Sequence, residues 1–109
     1  MQPQNIAMPQ IPKAFLDSPL ASQILILVTN GFVSDQKGII YLYCFVNLPI
    51  SEIESLTGLS NLYIVSTLAS YSRVLTLMLD AFKRVIPYDA TNLVPVAELF
   101  EHEIEKGVV

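Results

Sequence analysis

Few residues of this 109-residue chain have the type and spacing that catalysis or metal binding requires. Glu98 and His102 are four residues apart and would share one face of a helix, but two ligands do not make a metal site. Cys44 lies in an apolar run, and no basic or histidine residue precedes it at helical spacing to activate its thiol. Glu52 and Glu54, two residues apart, would point to different faces of a helix. The sequence therefore predicts no metal site, no cofactor and no enzymatic activity.

Charged residues make up only 15% of the chain, whereas an ordinary soluble domain has about 25%. The chain is therefore short of side chains that could cover its own surface, and we expect a partner or a second copy. The net charge of −4 comes entirely from residues 89–109, which hold five acidic residues and one basic residue. Residues 1–88 hold five of each, so the acidity of one end says little about the rest of the chain.

The cysteine content and the length of the apolar runs predict a cytoplasmic protein without a membrane span. A single cysteine cannot form an internal disulfide, which favours a reducing compartment. The longest unbroken apolar run, residues 39–46, has eight residues, whereas a membrane-spanning helix needs roughly 20. No basic and then apolar signal sequence opens the chain. We therefore expect a soluble protein.

Residues 1–17 are predicted to be an extended tail, because Pro3, Pro9 and Pro12 prevent a regular element from persisting there. The tail has too many apolar residues for a simple linker. We expect it to lie as a strap over the body of the protein or over a neighbouring subunit. Its apolar residues are Ile6, Met8, Ile11, Phe15 and Leu16.

Residues 18–109 are predicted to form a single all-α domain, a bundle of five helices. Ser18 is a suitable N-cap, with Pro19 at the first helical position, for a helix that ends near Gly31. Ser34 can cap a second helix, which Pro49 stops. Asn92 can cap the last helix, with its glutamates outward and its apolar residues inward. The inward residues are Leu93, Val96, Phe100 and Ile104.

The third and fourth helices have the most specific local signals. Ser51 and Glu54 have the spacing of a capping box, which predicts the start of a short third helix. Gly58 is the residue type that ends a helix in the left-handed conformation. Ser60 or Asn61 can then cap a long fourth helix, because no proline or glycine follows until residue 87. A short helix, a tight turn and a longer helix together describe a helix-turn-helix, predicted at residues 50–72.

This predicted motif requires the apolar residues of its two helices to meet across the turn. Ile53 and Leu56 should face Ile64 and Leu68. The pattern Ile50-Ser51-Glu52-Ile53-x-x-Leu56-x-Gly58-Leu59-Ser60-x-x-x-Ile64-x-x-x-Leu68 resembles the region 4 helix-turn-helix of bacterial sigma factors and related regulators. The likeness extends from Asp35 to Leu75, and similar spacing also occurs in response-regulator output domains and phage packaging proteins.

The resemblance implies that the helix beginning at Ser60 reads the major groove of DNA. The side chains at the matching exposed positions are Asn61, Leu62, Ser66, Thr67 and Ser70. Lys37 and Arg73 are candidates for phosphate contacts. The predicted function is therefore a small DNA-binding transcription regulator.

The sequence also departs from the family pattern, and the departures favour an alternative. Family members usually have a small hydroxyl residue where Tyr63 stands, and basic residues near Val65 and Thr67. So few cations give only a weak, salt-sensitive affinity for DNA. The alternative is a helix-turn-helix scaffold that does not bind DNA and instead binds a protein. RNA polymerase, a sigma factor, another regulator or a phage assembly subunit could be that partner.

Dimerisation would double every DNA contact, and the long fourth helix offers an apolar second half for it. We predict a homodimer that binds a short inverted repeat. The first helix and the tail are expected to help form the interface. Its predicted residues are Leu75, Met78, Leu79, Phe82 and Val85.

Overall fold

The computed structural model describes residues 6–85 and 92–107, which are mostly helical. Two short strands, β1 (Ile11–Pro12) and β2 (Leu93–Val94), pair antiparallel and join the two ends of the chain. The described residues contain six helices instead of the five predicted, because a short helix occupies part of the predicted tail. The helices are α1 (Lys13–Leu16), α2 (Leu20–Asn30), α3 (Ser34–Cys44), α4 (Ile50–Thr57), α5 (Asn61–Val85) and α6 (Val96–Glu105).

Local hydrogen bonds explain where the first long helices begin. The Ser18 hydroxyl accepts a hydrogen bond from the backbone N–H of Leu20 at 3.1 Å, as expected of a residue that caps a helix start. At the start of α3 the backbone N–H of Val33 donates to Oε1 of Gln36 at 3.0 Å. α3 ends at Cys44, earlier than Pro49 alone requires, and Asn47 has a positive φ of 69° in the segment that follows.

The long helix α5 is the central element of the core. It packs against α2, α3 and α4. Its buried residues are spaced three or four apart, so that they form one continuous face along the helix. They are Ile64, Thr67, Leu68, Tyr71, Leu75, Leu79 and Phe82.

The same helix is also long and apolar enough, by length and composition alone, to cross a membrane between Asn61 and Arg84. The expectation based on unbroken apolar runs missed this helix, because scattered polar residues interrupt the apolar run but lower the mean hydropathy of the helix only a little. The core helix of a globular protein passes the same test. In this structure the apolar face of α5 packs inside a compact body with a radius of gyration of 14.0 Å.

The N-terminal segment lies across the body of its own chain. The Tyr43 hydroxyl accepts a hydrogen bond from the Ile6 backbone N–H at 3.0 Å and is 3.2 Å from the Ile6 carbonyl, to which it donates. Ser72 donates to the carbonyl of Ala7 at 2.8 Å. The prediction that residues 1–17 hold no regular element was wrong for residues 11–16, because β1 pairs with a strand that is distant in sequence and α1 follows directly.

The last helix differs from its prediction in its start and in its buried face. Leu93 belongs to β2 and is exposed, and the helix begins only at Val96. Its buried face therefore consists of Val96, Leu99, Phe100 and Glu103, while Ile104 is exposed. The prediction that Leu93 and Ile104 point inward was therefore wrong. The prediction that the glutamates point outward was wrong for Glu103. The sequence also predicts a loop at residues 88–92 before this helix, and most of these residues lie outside the described ones.

Candidate functional site

The turn between α4 and α5 is built around a left-handed glycine. Gly58 has a φ of 71°, and its backbone N–H donates to the Glu54 carbonyl at 2.9 Å. A side chain at this position would meet no atom within 4 Å, so the backbone conformation, and not space, is what requires glycine. Thr57 Oγ1 donates to the Ile53 carbonyl at 2.6 Å and accepts from the Leu59 N–H at 3.2 Å. These bonds satisfy the end of α4 and turn the chain sharply.

The start of α5 follows the prediction, whereas the start of α4 does not. The Ser60 hydroxyl accepts a hydrogen bond from the Tyr63 N–H at 3.2 Å and so caps α5. The capping box between Ser51 and Glu54 is absent, because α4 begins two residues earlier than an N-cap at Ser51 would require, at Ile50 after Pro49. Ser51 therefore lies inside the first turn, where its carbonyl accepts from the Ser55 hydroxyl.

Three helices pack together at this corner, since α3 contacts both α4 and α5 and these two contact each other. Ile53 of α4 and Ile64 and Leu68 of α5 are fully buried. Leu56 was expected to join them across the turn, but 67% of its surface is exposed. The prediction for Leu56 was wrong, because its side of α4 faces solvent, and the buried residues of that helix are Ile50 and Ile53.

Two polar contacts tie the start of α5 to its neighbours. The Tyr63 hydroxyl donates to Oδ1 of Asp35 in α3 at 2.9 Å, and this hydrogen bond raises the pKa of Tyr63. Asn61 Nδ2 donates to Oε2 of Glu54 in α4 at 3.4 Å. Both carboxylates therefore fix the position of α5 relative to the two helices packed behind it.

The structure exposes most of the predicted DNA-binding residues but not all of them. Ser60, Leu62, Ser66, Ser70 and Arg73 are exposed at the start and along one side of α5, and Lys37 is exposed on α3. Leu62, Ser66, Ser70 and Arg73 are spaced three or four residues apart, which makes them one continuous ridge. We call these four residues the α5 ridge.

Thr67 and Asn61 do not serve as predicted. Thr67 is 2% exposed and faces the core, because positions 64, 67, 68 and 71 form the buried side of α5. Its hydroxyl oxygen has no hydrogen-bond partner among the described residues. Asn61 is only partly exposed and its amide is bonded to Glu54. Of the five side chains predicted to read base edges, Leu62, Ser66 and Ser70 are therefore the ones that the structure exposes.

Exposed leucines lie on both sides of the turn, and exposed acidic residues lie on the two preceding helices. Leu56, just before the turn, and Leu62, just after it, are 67% and 77% exposed. Asp35 and Glu52 are exposed on α3 and α4. The exposed leucine at position 56 was missed because its spacing fits the apolar pattern of a buried helix face. The corner thus combines apolar, hydroxyl and acidic groups with only two nearby cations, Lys37 and Arg73.

The predicted dimer interface on α5 lies mostly in the core of the protein itself. Leu75, Leu79 and Phe82 are at most 5% exposed, and Met78 is partly buried against the core. The side chain of Val85 lies outside the described residues. The prediction was wrong for the three buried residues, because α2 and the N-terminal elements cover this half of α5; Phe82 stacks edge-on against Phe15 of α1, with ring centroids 5.0 Å apart.

The remaining reactive groups are buried in the core or bound to neighbours. Burial raises the pKa of Cys44 to about 12, so its thiol stays protonated at neutral pH. Burial also raises the pKa of Tyr71. Among residues 6–85 and 92–107 no group of three or more potential metal ligands lies together.

No protein-family model, no curated protein and no solved structure matches this chain significantly.

Proposed function

We propose that α3, α4 and α5 form a helix-turn-helix unit of the sigma region 4 type, and that the protein is a small dimeric DNA-binding transcription regulator in the cytoplasm. The observation that supports this most directly is the free α5 ridge on the helix that follows the left-handed turn at Gly58. In helix-turn-helix proteins the second helix lies in the major groove, while the preceding helices hold it in position.

The ridge has groups that suit this role. The hydroxyls of Ser66 and Ser70 can both donate and accept hydrogen bonds, so they can pair with several base edges. The exposed Leu62 suits contact with a thymine methyl group. Arg73 and Lys37 supply the phosphate contacts, and because there are only two, the binding of one copy is weak and its salt slope is only about −2.

A binding assay with a matched pair of variants tests this function. Duplex DNA of random sequence and host genomic DNA are titrated at about 50 and about 200 mM salt, where few phosphate contacts give measurable differences. Arg73→Ala should weaken binding severalfold and reduce the salt slope by about one. Arg84→Ala removes another exposed arginine of α5, one that lies beyond the ridge. This control should leave the affinity and the salt slope unchanged. Absence of binding at the lower salt would refute the DNA-binding function.

A second function is favoured by the two exposed leucines beside the turn. We propose as the alternative that Leu56 and Leu62 contact a protein partner, such as RNA polymerase, a sigma factor or a phage assembly subunit. Exposed apolar side chains next to Asp35 and Glu52 suit a partner with an apolar surface and a basic rim.

One substitution separates the two functions because its expected effects have opposite signs. Leu62→Arg adds a cation to the α5 ridge, so it should strengthen DNA binding if the ridge faces phosphates. The same change removes an apolar contact and should weaken binding to a protein partner. The protein assay uses purified core RNA polymerase and, separately, a purified sigma factor. Leu77→Arg, at another exposed leucine of α5 farther along the helix, is the control for a general effect of charge.

A further inference from the structure

The outward face of α2 has no charged residue and exposes two neighbouring apolar side chains between two amides. Four of its residues are exposed at spacings of three, one and three, which places them on one stripe of the helix. They are Gln23, Ile26, Leu27 and Asn30. Leu27 is 66% exposed and Ile26 is 42% exposed. The opposite face of α2 is already buried in the core of the chain, so this stripe is the part of the helix that remains uncovered.

The lack of charge extends well beyond this stripe. No charged residue and no histidine occurs between Asp17 and Asp35, although the chain as a whole is 15% charged. A comparison with α5 shows how unusual this is. Leu77 is 62% exposed, nearly as much as Leu27, but Arg73 and Asp80 lie four and three residues away on the same side of α5. Leu77 is thus an isolated leucine in a charged setting, whereas Leu27 belongs to an uncharged surface.

The order of side chains along the stripe is symmetric about the point between Ile26 and Leu27. If two copies of α2 pack antiparallel about that point, Gln23 of each copy lies opposite Asn30 of the other, and Ile26 lies opposite Leu27. Each side-chain amide both donates and accepts hydrogen bonds, so the two amides can satisfy each other. The apolar residues meet apolar residues, and no like charges approach.

From this symmetry we infer that the α2 stripe is a homodimer interface and that its occupant is a second copy of this chain, packed antiparallel. An interface with a two-fold axis must be complementary to itself, with residue i contacting residue j and j contacting i. The uncharged, symmetric stripe meets that condition. The inference places the dimer interface on α2 and away from the second half of α5, and it does not depend on what the α5 ridge binds.

The length of α2 sets the strength to expect. Eleven residues span roughly 16 Å, and stable protein interfaces bury about 1,200–2,000 Å² in total. One pair of short helices lies at the low end of that range. The dimer should therefore form in a concentration-dependent way, with a dissociation constant on the order of micromolar.

Sedimentation velocity of the full chain from about 1 to about 500 μM, spanning that expected dissociation constant, tests the inference. The wild-type chain should change from monomer to dimer over this range. Leu27→Lys places two like charges near the two-fold axis and should leave only monomer at every concentration. Leu77→Lys makes the same change at a leucine of similar exposure on α5 and should dimerise like the wild type. Circular dichroism and thermal unfolding establish that both variants fold.

A wild-type chain that stays monomeric throughout would overturn the inference. So would a dimer that Leu27→Lys leaves unchanged, because the interface would then lie elsewhere. DNA binding by a monomeric chain would leave the DNA-binding part of the proposed function standing, while its dimeric part and this inference failed, so binding and dimerisation can be judged separately.

A pair of double variants tests the antiparallel register. In the chain with Gln23→Glu and Asn30→Lys, antiparallel packing puts a glutamate opposite a lysine at both ends, so the dimer should persist. In the chain with Gln23→Lys and Asn30→Lys, the same packing brings lysines together, and the dimer should weaken at least tenfold. Parallel packing would place like charges together in both variants. Loss of the dimer in both would therefore refute the antiparallel arrangement.

Discussion

The Ser22 hydroxyl donates a hydrogen bond to Oε2 of Glu103 at 2.5 Å, although the two residues are 81 positions apart. Glu103 is fully buried, and its other oxygen, Oε1, lies 3.6 Å from Nζ of Lys106 and from Nδ1 of His102. A buried carboxylate is tolerated only when other groups compensate for the loss of water. This contact therefore fastens α6 to α2 and closes the end of the chain on its beginning.

Replacing Ser22 should destabilise the protein much more than an ordinary surface change. Ser22→Ala leaves Oε2 of the buried carboxylate without its hydroxyl donor, which typically costs about 1–3 kcal/mol. Glu101 lies in α6, the helix of Glu103, and is exposed. Glu101→Ala should therefore change the free energy of unfolding by less than about 0.5 kcal/mol. Urea unfolding of both variants measures the difference. Equal stability of the two would mean that the Ser22 bond contributes nothing.

Two glycines that both have open space around them should respond to alanine with opposite signs. Gly58→Ala forces a side chain into the left-handed conformation, which costs about 1–2 kcal/mol. Gly38 lies within α3, where alanine is the better helix former by about 0.5–1 kcal/mol, so Gly38→Ala should stabilise the protein. Thermal or urea unfolding measures both changes. A Gly58→Ala variant as stable as the wild type would show that the left-handed φ at this position does not require glycine.

Cys44 should be unreactive in the folded protein. Its burial raises the pKa from an ordinary value of 9.0 to about 12, so almost no thiolate is present at pH 8. A thiol reagent such as DTNB should label Cys44 in the native chain only at the rate at which the fold opens and exposes the thiol. The same reagent should label the urea-unfolded chain at once. In a Cys44→Ala background, Ser66→Cys places a thiol on the exposed α5 ridge and should react quickly. Rapid labelling of native Cys44 would contradict the burial.

The same shift of the pKa predicts how stability depends on pH. The folded state keeps the Cys44 thiol protonated, while the unfolded chain releases its proton above about pH 9. The resulting contribution to stability is therefore complete below pH 9 and is lost progressively as the pH rises toward 12. Tyr71, whose pKa is also raised by burial, adds to the loss at the upper end. Cys44→Ala should make the decline between pH 9 and 12 shallower, as urea titrations at each pH would show.

Signals that act within a few residues predicted some helix boundaries but not others, since Val33 precedes α3 in place of the predicted cap Ser34, and Pro95 precedes α6 in place of Asn92. Gly58 and the serines at 18 and 60 mark real helix boundaries, because a cap or a left-handed glycine acts through the backbone next to it. The capping box at Ser51 and Glu54 failed because two local signals competed. Pro49 lets the helix begin at Ile50, and Glu54 then bonds to Asn61 across the turn.

Burial depended on contacts between distant parts of the chain, which local patterns do not specify. The apolar second half of α5 predicted a dimer interface, but Leu75, Leu79 and Phe82 are buried because three helices and the N-terminal elements pack against α5. Thr67 is polar but lies on the buried side of α5. Glu103 is buried because its partner Ser22 comes from a helix 81 residues away. Sequence reasoning thus predicted the helices around the candidate site but misjudged which of their side chains face solvent.

The bond between Tyr63 and Asp35 should be visible in the titration of the tyrosine. Because the hydroxyl donates to the carboxylate, losing its proton costs that bond and places two negative charges together, which raises the pKa of Tyr63. Asp35→Asn removes the charge, so the pKa of Tyr63 should fall toward its ordinary value. Carbon-13 NMR of the labelled tyrosine ring measures this directly. Asp80→Asn, at an exposed acidic residue farther along α5, is the matched control and should leave the titration unchanged. An identical titration curve in Asp35→Asn would mean that the contact does not hold α5 against α3 in solution.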